Sequence, residues 1–197
     1  MINMISNKLA LYIAHHASKP QYLKADIEVL QYGIECMINT TCTDLLIFFF
    51  CVLSHTLSAG IVWIILFTFF RNLVGGYHAP GHFMCICLST LLCLITILAS
   101  NKIIFTWHQM MVFEIIILFI IKRIAPVSSS RNNPLSSHQQ RRTNLKALLL
   151  SCFCIIISLT HNPYSSLIML TQISVIILAI IEISIQKSSH SATQNIS

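Results

Sequence analysis

Charge is what this chain lacks most. Of its 197 residues only 9% are Asp, Glu, Lys or Arg, while 55% are hydrophobic. A soluble domain carries about 25% charged residues. The mean hydropathy of +0.76 therefore excludes a surface that water could cover, and lipid must be the solvent for the apolar excess. Carboxylates are scarcer still, with 6 Asp and Glu against 12 Lys and Arg. In a soluble protein the excess of +6 would raise the question of nucleic acid. Here its use is to orient helices and to touch anionic lipid, and no nucleic-acid partner is expected. Only one long polar stretch exists, so no separate soluble domain fits, and 1–197 reads as a single membrane domain. No internal repeat is visible, and the N-terminus lacks the uninterrupted apolar core of a signal peptide.

Cysteine, by contrast, is plentiful: Cys36, Cys42, Cys51, Cys85, Cys87, Cys93, Cys152 and Cys154. Nearly all lie in or beside apolar runs. That excludes a disulfide-stapled secreted scaffold, which is short, polar and loop-rich, and makes most of these thiols small packing residues.

The pattern along the chain is helical throughout. Residues 1–20 place Ile2, Ile5, Leu9, Tyr12 and Ile13 at steps of three and four among polar side chains, which predicts an amphipathic helix on the membrane surface. Apolar runs follow. The run 45–70 is broken at Ser54-His55-Thr56, and it reads either as one long span or as the end of one helix and all of another. Charge decides between these. With helices at about 30–53, 57–71, 82–100, 107–122, 145–160 and 165–185, every basic residue except Lys102 falls on one side of the membrane. A single 45–70 span would divide them nearly evenly. The positive-inside rule therefore predicts an all-α bundle of about six transmembrane helices, with both termini cytoplasmic. Residues 123–144 read as a basic cytoplasmic loop, carrying Arg131, Arg141 and Arg142, and 186–197 as a polar tail. Glu35, Asn39, Thr40, Thr41 and Asp44 either sit at or near membrane depth, where carboxylates are costly and face a cavity or a partner, or belong to an interfacial, solvated stretch.

Three of the five glycines fall in one stretch, Arg71-Asn-Leu-Val-Gly75-Gly76-Tyr77-His78-Ala79-Pro80-Gly81-His82, running on to Cys85 and Cys87. Glycine permits tight turns and close backbone approach, and Pro80 suits the start of a helix. Cys85 would lie about one turn in, where the positive end of the helix favours an anion. His78 could take the thiol proton, which is the Cys–His arrangement of nucleophilic catalysis. From spacing alone two other readings stay open. One is a loop histidine with a buried thiol; the other is a metal set of His78, His82, Cys85 and Cys87.

The run from Arg71 to Cys85, with Gly75-Gly76-Tyr77-His78-Ala79 ahead of the cysteine, resembles the accessory gene regulator B (AgrB) family of bacterial membrane endopeptidases. Tyr32-Gly33-Ile34-Glu35 resembles the family's segment ahead of its first span. Ala125-Pro126-Val127 with Asn133-Pro134-Leu135 is similar to its second cytoplasmic loop, although serine replaces much of the lysine here. The resemblance implies His78 and Cys85 as the catalytic pair of a thiol protease in the bacterial cell membrane. It implies an AgrD-like propeptide as substrate, cleaved and cyclised into a quorum-sensing signal, and a homodimer. Arg71, Gly75, Gly76, Glu35, Arg141 and Arg142 are the expected substrate-binding residues. Membrane lipid is the other expected partner, and no metal or cofactor is expected. The competing class is a multi-pass transporter or peptide exporter, in which Glu35 and Asp44 would line the path.

Overall fold

The computed structural model describes residues 2–16, 24–77, 79, 81–127, 136–160 and 162–194. All regular structure among them is helical: α1 (Ile2–His16), α2 (Lys24–Leu53), α3 (Leu57–Val74), α4 (His82–Lys102), α5 (Trp107–Ile124), α6 (Ser137–Leu159) and α7 (Ser165–Gln194). Leu, Ile and Phe supply most of these segments, and the described prolines, Pro126 and Pro163, occupy positions between them, where a missing N–H breaks no helical ladder. Five of the helices, α2, α3, α4, α6 and α7, are long and apolar enough to cross a membrane. The remaining long helix, α5, spans 18 residues and carries Glu114 with Lys122-Arg123 at its end. The chain is thus a multi-pass helical membrane protein, with about six spans and an N-terminal helix beside them.

The break inside 45–70 is a helix-capping turn. The Thr56 amide donates to Cys51 O at 2.9 Å and the His55 amide to Val52 O at 3.3 Å, while His55 takes a φ of 55°. These are the bonds of a Schellman motif. Histidine stands where glycine is usual, in a conformation it tolerates better than most side chains. The turn folds α3 back on α2 so closely that a Cβ on Gly60 would lie 2.5 Å from Cys51 Sγ.

The basic stretch is shorter as a loop than its polarity predicts, because α6 starts at Ser137. A capping box accounts for this. Ser136 Oγ accepts from the Gln139 amide at 3.3 Å, and Gln139 Oε1 accepts from the Ser136 amide at 3.1 Å, satisfying two donors that the helix end leaves open. Arg141 and Arg142 consequently stand on the exposed first turns of α6. The polar tail is helical to Gln194, and α3 extends to Val74.

Helix α7 is the axis of the bundle. It packs against α3, α4, α5 and α6, and its window is the most buried of the candidate spans. Short connections make successive helices antiparallel. The C-terminal ends of α3, α5 and α7 and the N-terminal ends of α4 and α6 therefore share one end of the bundle. Arg71, Lys122, Arg123, Arg141, Arg142, Lys146 and Lys187 lie toward that end, and Lys102 lies toward the other. Helix α1 is not merely laid on lipid. Ser6 and Ala10, one turn apart, are fully buried where α1 packs on α2, while Met4, Ile5, Leu9, Leu11, Tyr12 and Ile13 face outward.

Candidate functional site

Four helices enclose a polar cavity of about 460 Å³, within the usual size of ligand pockets. Its walls follow helical spacing. Tyr32, Glu35, Cys36, Asn39, Thr40, Thr43 and Asp44 come from α2; Trp63, Phe67, Thr68, Arg71 and Asn72 from α3; His82, Cys85 and Ser89 from α4; Asn3 comes from α1, and Ala79 from the loop. On α3 the wall is a column. The Trp63 ring stacks on Phe67 at 4.2 Å, and the Arg71 guanidinium lies 5.6 Å from the Phe67 ring centroid, a cation–π distance. From His82 to Ser89 the cavity runs roughly 10 Å along α4, at 1.5 Å per residue.

Cys85 is half-buried on this wall. Its amide donates to Gly81 O at 3.1 Å, closing the first turn of α4. No side chain caps that helix end, so the amides of the first turn keep the positive end of α4 open toward an anion. Cys87, two residues on, is exposed and does not line the cavity. His78, the expected partner of Cys85, lies outside the described residues.

Glu35 is held from two helices. Its Oε1 accepts from Ser6 Oγ of α1 at 2.9 Å and from Gln31 Nε2 at 3.0 Å. Its Oε2 lies 3.7 Å from His82 Nε2, and that nitrogen is 3.1 Å from Asn3 Oδ1. His82 entered the sequence reading only as a possible metal ligand, yet it stands one turn before Cys85 on the same face of α4. The spacing of three residues was the available signal.

Arg71 contributes to the cavity and to the loop beyond it. Its Nη2 donates to Tyr77 O, and Cys85, Glu182, Cys36 and Tyr32 lie within electrostatic range of the guanidinium. Gly75 and Gly76 act through their backbone and are not cavity-lining. Gly75 has a φ of 81°, and a Cβ there would collide with Val127 O; Gly76 has a φ of 147° and packs on Leu178. The loop is pinned on both sides, by the Tyr77 amide to Leu178 O at 3.0 Å and by the Val127 amide to Val74 O at 2.8 Å. Arg141 and Arg142 do not line the cavity. Arg131 lies outside the described residues.

Cys85, Arg71 and Glu35 thus come together from three different helices, alongside Asp44. Helical spans around a polar cavity that bears a thiol define a class: a polytopic membrane protein with an internal site suited to nucleophilic chemistry. A family model described as Accessory gene regulator B (AgrB) matches residues 6–186, and the chain belongs to that family. At family level its role is the processing of AgrD in quorum sensing. Comparisons with curated proteins and with solved structures returned no match.

Proposed function

We propose that this chain is a cysteine endopeptidase that cleaves an AgrD-like propeptide and closes the product into a ring. The observation that supports this reading is the meeting of Cys85, Arg71 and Glu35 in one polar cavity, with the thiol at the open end of α4. In this mechanism His78 takes the Cys85 proton and Sγ attacks the scissile carbonyl carbon. The C–N bond breaks, and the amine of the downstream segment leaves with the proton His78 holds. The acyl half remains as a thioester on Cys85. A cysteine or serine within that half gives its proton to His78 as it attacks the thioester carbonyl, the bond to Cys85 Sγ breaks, and His78 passes that proton to the leaving thiolate. A thioester keeps much of the acylating power of the amide, so ring closure needs no ATP at that step. Cavity walls that keep out bulk water favour the internal nucleophile over hydrolysis.

Charge gives the substrate a direction. Glu35 and Asp44 oppose an acidic segment inside the cavity, whereas the basic residues at the same end of the bundle attract one. By the positive-inside rule that end is cytoplasmic, as are both termini. Ser129→Cys tests the orientation: an impermeant thiol reagent should label it in opened but not in intact cells.

The experiment for the activity is co-expression with the propeptide, with cleavage followed by mass. Normal cleavage by both Cys85→Ala and His78→Ala would end the proposal. The transporter reading is separated by alkylation. Modification at Cys85 alone should stop the enzyme, whereas a transporter working through Glu35 and Asp44 would tolerate it.

A further inference from the structure

A residue far from the cavity wall is tied to the catalytic loop by a continuous set of contacts. Asn144, on the second turn of α6, donates from Nδ2 to Lys122 O at 3.2 Å and also to Ala125 O. It thereby fixes the carbonyl end of α5. Two residues beyond Ala125, the Val127 amide donates to Val74 O at 2.8 Å, and Gly75 sits against Val127 O with no room for a side chain. From there the backbone reaches Tyr77, whose amide is bonded to Leu178 O and whose carbonyl accepts from Arg71. Both backbone polar groups of Tyr77 are therefore committed, and the next residue in the chain is His78.

We infer that Asn144 is a positioning residue for the backbone of residues 75–77. It holds the start of the α5–α6 connection as a strut behind Gly75 and Tyr77, the residues that lead into His78. Arg71 has the same role at the front of the loop, through the Tyr77 carbonyl. This inference rests on the proposed Cys85–His78 pair. It gives the second cytoplasmic connection a mechanical part in catalysis, separate from any attraction its positive charges exert on an acidic substrate. The donors of Asn144, not its volume, carry the role. An aspartate of the same shape cannot donate, and it would also set a negative charge against the carbonyl end of α5.

The test uses the full chain in membranes and two readouts. The first is the rate at which iodoacetamide modifies Cys85, mapped by mass spectrometry with exposed Cys87 as internal reference. The second is cleavage of the co-expressed propeptide, resolved into kcat and KM. Asn144→Ala and Asn144→Asp are each expected to slow Cys85 modification and lower kcat by about fivefold or more, the scale of one lost hydrogen bond. KM should stay within about twofold, and Cys87 modification should not change. Asn144→Gln, which keeps the donors, should recover part of the rate. Because the strut acts through His78, adding Asn144→Ala to His78→Ala should slow Cys85 modification no further. Equal losses in both backgrounds, a change in KM alone, or wild-type behaviour of Asn144→Asp would each overturn the strut. If His78→Ala leaves Cys85 modification and cleavage untouched, the base assignment fails and the strut falls with it. If His78→Ala is impaired but Asn144→Asp is not, only the strut fails.

Discussion

Two polar regions lie within this membrane bundle, and they are built on opposite plans. Between α5, α6 and α7 the polar groups satisfy one another. Gln172 Nε2 donates to both oxygens of Glu114 at 3.1 and 3.0 Å, Ser151 Oγ donates to Gln172 Oε1 at 2.9 Å, and Ser158 Oγ approaches Glu114 at 3.5 Å. Glu114 and Gln172 are almost wholly buried. Between α2, α3 and α4, polar side chains instead surround an open space. Asp44 has no hydrogen bond or ion pair among the described residues, and Asn39 Oδ1 and Trp63 Nε1 are buried without partners. A buried polar group without a partner costs stability. A sealed network holds helices together, whereas polar groups around an open cavity can turn to a ligand. A carboxylate at membrane depth does not by itself mark a functional site; what its neighbours leave open does.

The sharpest way to break this comparison is at the thiol. Cys85→Ala should lower propeptide cleavage at least about a thousandfold, while Cys154→Ala, beside the sealed network, should leave cleavage near wild type; both are read by mass of the products. Next comes the loop. Gly75→Ala forces a Cβ against Val127 O from a φ of 81°. It should cost about 10- to 100-fold in kcat, the scale of an ångström's misplacement, with membrane insertion unchanged by protease protection. The sealed region should respond in stability instead. Gln172→Leu removes the donors facing both oxygens of Glu114, and is expected to cost about 1–3 kcal/mol. Thermal unfolding in detergent would register this as a lower Tm, with kcat per folded molecule within about twofold. The smallest effect belongs to the exposed basic turns. Neutralising Arg141 and Arg142 should raise KM a few-fold for an acidic-tailed substrate, less so at high salt, with no change in Tm. Unchanged turnover would leave those charges with orientation alone.

Much of this division was not legible in the sequence, for a physical reason. Apolar periodicity reveals a buried face only where the other face meets water. In lipid, Phe48, Ile65, Leu91 and Ile156 are exposed and read the same as the core residues Ile47, Phe70 and Ile97. Helix count was legible because it rests on a break and on charge: Ser54-His55-Thr56 and the asymmetry around Lys102. The Ser136-Gln139 box was equally present in the sequence, but serine and arginine around it read as loop. Cys85, Arg71, Glu35 and Asp44 were identifiable as chemistry. That Gly75 backs onto Val127 and that Ser6 of α1 holds Glu35 depend on contacts between segments far apart in sequence, which no local pattern records.

The most direct measurement is a search for the covalent intermediate. Chain and propeptide mixed in membranes, quenched in acid within seconds and digested, should yield a peptide containing Cys85 with the acyl half of the propeptide attached. Hydroxylamine should remove that adduct, as expected of a thioester. The account predicts the adduct on Cys85 and nowhere else, present before the cyclic product and absent in His78→Ala. Cleavage with no adduct at any time, or an adduct on another of the eight cysteines, would contradict it.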